Sequence, residues 1–223
     1  MPTLEWIGKS KVVNHHQEVP FRVLERQYSF DEMGKHTEDN GSDNMIIHGD
    51  NLEALKALLP QYEGRVKCIY IDPPYNTGNE KWCYNDNVND PHIQKWLGEV
   101  VGKEGEDLTR HDKWLCMMYP RLMLLQKLLA DDGFIFVSID VFEYAYLRCI
   151  MDEIFGSANF RNCIAVRRGI KNVQAQFDEV QSLSLGHEYI YLYSKNPQAK
   201  LPKLSKGFEA DKAGKWDTFW RGT

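Results

Sequence analysis

Asp72-Pro73-Pro74-Tyr75 brings together a carboxylate, two backbone carbonyls on proline residues, and an aromatic ring. The two pyrrolidine rings fix their own backbone angles, so the acceptors around them are held in place. Such a set suits one difficult reaction, alkylation of an aromatic amine. The nitrogen lone pair of such an amine is delocalised into its ring. Accepting hydrogen bonds from the NH2 group favours a pyramidal nitrogen and turns the lone pair toward an electrophile. Asp72 supplies a side-chain acceptor and Pro73 a carbonyl, both in fixed positions. Tyr75 follows with a flat face on which a base swung out of a duplex can stack. Base–aromatic stacking contributes roughly 1–3 kcal/mol, comparable to the few kcal/mol that unstacking costs. Taken alone, the four residues also suit a rigid turn at a strand end.

The surrounding pattern places this string. Val66 to Ile71 is almost continuously apolar, as in a strand covered on both faces, and breaks at Asp72. Before it, Met45-Ile46-Ile47-His48 reads as a short strand. Asp50 with Glu53 three residues later signals a helix start over Leu52 to Leu59, stopped by Pro60. After the motif, residues 76 to 92 are rich in Asn, Asp and Gly and read as a long loop. From about Asp107 apolar residues recur every three or four positions (Leu115, Met118, Leu122, Leu125, Leu129), predicting a helix kinked at Pro120 and ending near Asp131-Asp132-Gly133. Phe134 to Ile139 is a third strand and Val141 to Phe155 a helix stopped at Gly156. Asn162 to Arg167 and Glu188 to Tyr193 are further strands, joined by a polar connection. Alternating strands and helices predict an α/β fold with a mostly parallel sheet, whose ligand crevice lies beyond the carboxyl ends of the strands. Asp72 and Asp140 both fall at such ends.

Composition bounds the rest. The 223 residues suffice for one α/β core with an appendage, and no apolar run approaches the roughly 20 residues of a membrane span. The start lacks a signal-peptide pattern, so the expected location is cytoplasmic, away from any membrane. Net charge is -5, yet residues 161 to 223 carry 11 Lys/Arg against 6 Asp/Glu, which makes the carboxy-terminal part the natural place to neutralise phosphates. Five scattered cysteines suggest reduced thiols, with Cys68, Cys116 and Cys149 expected in the core. His15-His16, in an irregular stretch without a third ligand nearby, is read as solvated, and no metal site is expected. Three segments follow: an irregular arm over 1–43, a catalytic part over 44–195, and a basic segment over 196–223.

Several runs in combination resemble one family. Gly49-Asp50-Asn51-Leu52-Glu53, Tyr70-Ile71-Asp72-Pro73-Pro74-Tyr75-Asn76-Thr77-Gly78-Asn79 and Tyr84-Asn85-Asp86 are similar to the modification subunits of type III restriction-modification systems, amino-methyltransferases of the beta arrangement. The likeness continues through Trp114, Met118, Pro120-Arg121-Leu122, Gly133 to Asp140 with Glu143, Met151 to Gly156 and His187-Glu188-Tyr189. It implies a Rossmann-like methyltransferase fold, S-adenosylmethionine as donor, duplex DNA as substrate and N6 of adenine as acceptor. It also implies that Asp72, Pro73, Pro74 and Tyr75 are catalytic, with Asp72 and Pro73 also near the cofactor. Asp50 would lie near the adenine end of the cofactor, although a helix cap accounts for it equally. Asn76, Thr77 and Gly78 would line the pocket entrance, and Trp82 and Tyr84 would sit on a loop closing over DNA. In that family a glycine-rich Phe-x-Gly-x-Gly motif follows the catalytic half. No such motif occurs here, so the sheet is expected to be incomplete and the remainder to come from a missing carboxy-terminal half or a second chain. A homodimer in complex with a restriction subunit is the implied assembly.

Three other readings stand beside this one. Cytosine N4 presents the same amine chemistry, although Asp rather than Ser at the motif's first position favours adenine in the family. A fragment that keeps the fold but cannot hold the donor would be a silent DNA-binding or assembly module. A methyltransferase for RNA or protein amides is the third, and the extended likeness argues against it.

Overall fold

The computed structural model describes residues 3–76, 95, 98–99, 109–167 and 186–201. Its centre is a four-stranded sheet in the order β3-β4-β6-β5, with β3 at Val66–Ile71, β4 at Leu129–Ile139, β5 at Phe160–Arg167 and β6 at His187–Ser194. β3 pairs with β4 in parallel, while β6 lies between β4 and β5 and runs antiparallel to both. Three strands therefore point one way and one points back. The expected α/β class is met, but with a mixed sheet in which only the β3–β4 ladder is parallel. The physical reason is connectivity. A helix carries the chain from β3 to β4, the crossover unit of Rossmann-like folds, whereas β6 returns alongside its sequence neighbour β5.

That crossover helix is α4, Arg110–Leu128. Thr109 caps it, accepting from the Asp112 backbone while the Asp112 carboxylate accepts from the Thr109 backbone. The expected face of Leu115, Met118, Leu122 and Leu125 is buried, and so are Trp114, Cys116, Met117, Tyr119 and Pro120 between them. A helix apolar on nearly all sides must be covered on nearly all sides. Here the sheet lies on one side and α3, Asn51–Tyr62, on the other, with Leu52 and Leu59 packed against Leu124 and Leu128.

Several boundaries differ from the sequence reading. α3 runs past Leu59 to Tyr62 with Pro60 inside its last turn, where proline gives up a single amide bond and the helix ends two residues later. α4 stops at Leu128, and residues 131–133 are an irregularity within β4 rather than a turn. Glycine is needed there, because a Cβ on Gly133 would meet the carbonyls of Val66 and Ala130 at 2.9 Å. The helix expected over 141–155 is α5, Tyr144–Met151, which widens to a π-turn over Asp152–Gly156. Met45 to His48 forms no strand. β3 is the edge of the described sheet, and without a ladder to it Ile46 stays fully exposed.

The amino-terminal segment is more ordered than expected. Residues 9–12 and 15–18 form two short helices, α1 and α2, and residues 29–31 and 34–36 a small hairpin of β1 and β2. Val12 and Val19 are buried, and Trp6 packs on Tyr119 at 5.6 Å. Lys56, itself buried, fastens the segment by donating to the carbonyls of His16 and Gln17 at 2.8 and 3.2 Å. His16, expected in solvent, is therefore in the interior, where burial and the nearby Lys127 charge lower its pKa. Of the thiols, Cys116 is buried, but Cys68 and Cys149 are exposed. Both lie on the outward side of half-covered elements, a distinction that an apolar run conceals.

Candidate active site

The chain leaves β3 at Ile71 and enters Asp72-Pro73-Pro74-Tyr75-Asn76 without forming a helix. Asp72 is exposed at the strand end. The residues after it are fastened one by one. The indole of Trp114, a fully buried side chain on α4, donates from Nε1 to the Pro74 carbonyl at 2.7 Å. That bond spends the carbonyl of Pro74 and leaves Pro73's as the one beside Asp72.

Tyr75 is half-buried and packs against the main core. Its hydroxyl donates toward Glu188 Oε2 at 3.5 Å and also interacts with Asp72 and Ser138. Burial, followed by the hydrogen bond and charge of Asp72 and the charge of Glu188, pushes the phenol's pKa far above its ordinary value. The group stays protonated and serves as a donor. Ser138 in turn exchanges a hydrogen bond of 2.7 Å with Tyr70. Because β6 runs against β4, the start of β6 brings Glu188 to the end of the sheet where β3 and β4 finish.

Asn76 closes the loop. Among the described residues it is the one non-glycine with positive φ, 56°, a region that asparagine tolerates better than most. It is 1% exposed, with its amide donating to the Arg110 carbonyl at 3.2 Å and to Glu143 Oε1. Its side chain thus faces the interior, not the entrance that the sequence suggested. Thr77, Gly78, Trp82 and Tyr84 lie outside the described residues.

The other two aspartates singled out in the sequence are both engaged by backbone. Asp50, exposed, caps α3 by accepting from the amides of Leu52 and Glu53 at 2.9 and 3.1 Å. Asp140, buried, accepts from the Val141 amide at 2.6 Å. Beside Asp50, Arg121 of α4 donates to Asn51 at 2.7 Å, and burial, eased by the Asp50 charge, pushes its pKa down to about 10. Glu188, Ser138, His111 and Glu143 are the supports that reading for chemistry missed. The likeness of motifs ran through three of them, but nothing in their spacing showed which would turn toward the loop.

Asp72, an exposed carboxylate, thus ends edge strand β3 at the head of a loop fastened at residues 74, 75 and 76. The chain belongs to the DNA methylase family, whose model matches residues 66–220. It is 37% identical over 205 residues to the type III restriction-modification enzyme EcoPI Mod subunit of Escherichia phage P1, an alignment covering 87% of this chain and 30% of that protein. The StyLTI Mod subunit of Salmonella typhimurium is 40% identical over 182 residues, covering 77% and 27%. The type II methyltransferase M.KpnI of Klebsiella pneumoniae is 34% identical over 175 residues, covering 78% and 38%. The matched part of the chain thus spans 27–38% of the length of these curated relatives. Among solved structures, the M1.HpyAVI–SAM complex aligns over 72% of this chain and 60% of its own with a TM-score of 0.40 and 16% identity, too distant a likeness to inform the site.

Proposed function

We propose that this chain is the catalysis-bearing part of a site-specific DNA methyltransferase that transfers a methyl group from S-adenosylmethionine to N6 of adenine flipped out of duplex DNA. The observation that carries the reading is Asp72, an exposed carboxylate at the end of β3 whose loop is anchored by Trp114, Glu188 and Glu143. A flipped adenine would donate its amine to the Asp72 carboxylate and the Pro73 carbonyl, with the ring resting on Tyr75. The two acceptors polarise the nitrogen, and the rigid loop spares the reaction the cost of arranging them. The donor supplies an electrophilic methyl group. Asp72 and Pro73, with Asp50 at its adenine end, are the residues here that would face it, and their fit rests on two exposed carboxylates, one at the end of β3 and one at the start of α3. Thr77, Gly78, Trp82 and Tyr84 are assigned to the pocket entrance and the loop over DNA.

Two of the relatives are Mod subunits of type III restriction-modification enzymes, which supports a subunit role for this chain. We further propose, beyond what those names say, that it works with further sequence or a second chain, as a homodimer beside a restriction subunit, in the cytoplasm. Among the described residues no helix is long and apolar enough to cross a membrane.

The test is transfer of labelled methyl groups to duplex DNA by the intact protein that carries this chain, followed by nucleoside analysis. N6-methyladenine from the wild type and at least about 100-fold less from Asp72→Ala is the expected result. N4-methylcytosine would move the acceptor to the other amine, and no product would leave a silent binding or assembly module.

A further inference from the structure

The side chain behind the catalytic loop is a buried acid. Glu143, just before α5, is 0% exposed, and its Oε1 accepts both from the Asn76 amide and from His111 Nδ1, the latter at 2.7 Å. Its other oxygen, Oε2, is buried with no hydrogen-bond partner among the described residues. Burial raises the Glu143 pKa, opposed by the bond from Asn76 and by the charges of His111 and Arg110. A raised folded-state pKa means that the protonated acid is favoured in the fold, so its contribution to stability is present at low pH and is lost as pH rises through the folded value. Once ionised, the carboxylate weakens the fold relative to a neutral group. Glutamine, a neutral isostere, mimics the protonated form.

We propose that Glu143 is a positioning residue for methyl transfer: acting through Asn76, it sets the backbone of Asp72–Tyr75, and through His111 it ties that loop to the first turn of α4. The proposal rests on the methyltransferase reading. Three observations converge on it. The amide of Asn76 reaches two separate elements, Arg110 on α4 and Glu143 before α5. Asn76 holds a left-handed backbone conformation immediately after the motif, where a change in φ would swing the Tyr75 carbonyl and everything before it. His111 is itself seated by a ring contact with Tyr146 of α5 at 4.7 Å, so the brace spans α4, α5 and the loop.

Two variants of the intact protein test it, Asn76→Gly and Glu143→Gln. Glycine adopts the positive φ without strain but deletes the amide, so it separates backbone conformation from the brace. Glutamine keeps the volume and one acceptor oxygen while removing the charge. The expected result for both is a single-turnover methyl-transfer rate about tenfold or more below wild type, since small misplacements of reacting groups are expensive. DNA and donor dissociation constants should stay within about twofold, since neither residue touches substrate. For Glu143→Gln the melting temperature should hold or rise at a pH where the wild-type acid is ionised. A wild-type rate in both variants would overturn the proposal. So would a Glu143→Gln protein that loses stability and binding together with rate, since that is the signature of a merely structural acid. If the wild type itself methylates no DNA, the functional reading fails first and takes this inference with it.

Discussion

Asp72 and Asp140 occupy matching places, each just beyond the carboxyl end of a strand, and β3 and β4 are partners in the same parallel ladder. Their fates diverge. After Asp140 the chain turns into α5, and the carboxylate is buried and engaged by the backbone amide of Val141. After Asp72 two prolines remove two backbone amide hydrogens and disfavour helical angles at Asp72 and Pro73, the residues that each precede a proline, and the carboxylate stays exposed. Asp50 sides with Asp140, spent on two amides at the start of α3. The lesson is that an acid at a strand end belongs to the fold when a helix follows closely and is open to chemistry when the sequence prevents that. The hydrogen bonds holding the loop go to residues 74, 75 and 76, not to its carboxylate alone.

The comparison can be broken first at Asp72 itself. Asp72→Ala should lower methyl transfer by about 100-fold or more, the scale seen on removing one preorganised polar group, without a loss of melting temperature. Equal rates would remove the distinction between the two ends. Tyr75→Ala comes next: losing a stacking face is worth roughly 1–3 kcal/mol, so DNA binding should weaken about tenfold in a titration while turnover persists. A smaller effect belongs to the pinning of the loop. Trp114→Phe keeps the buried ring but orphans the Pro74 carbonyl, which costs about 1–3 kcal/mol in thermal or denaturant unfolding, and transfer should slow even well below the melting point. The smallest is Asp50→Ala, about 1 kcal/mol from a lost helix cap. If donor affinity measured by calorimetry also falls in that variant, Asp50 serves both the cap and the cofactor. An unchanged affinity would leave it with the cap alone.

Much of this was legible in the residues. The apolar run into Asp72 marked β3, the three-and-four spacing from Leu115 marked α4, and Asp50 with Glu53 marked the start of α3. Other features were hidden for physical reasons. Met45 to His48 has strand composition, but a strand needs a ladder, and pairing is not written in one segment. The arm looked irregular because its anchors are single contacts made across long separations, Lys56 to residues 16 and 17, and Trp6 to Tyr119. Within the site, the motif announced its acceptors but not its supports. Trp114, His111, Glu143 and Glu188 come from α4, the start of α5 and β6, and only the folded chain turns them toward residues 74–76. Asn76 read as a polar loop residue facing a pocket, whereas its partners draw it inside.

The most direct test of the account sets the two strand ends against each other in the intact protein, comparing single-turnover methyl transfer to duplex DNA by Asp72→Asn and Asp140→Asn. Each change keeps the shape of the side chain and removes its charge, and asparagine at 140 can still accept from Val141. The account predicts a loss of about 100-fold or more for Asp72→Asn and a change within about threefold for Asp140→Asn. Comparable losses in the two, or a larger one at Asp140, would contradict it.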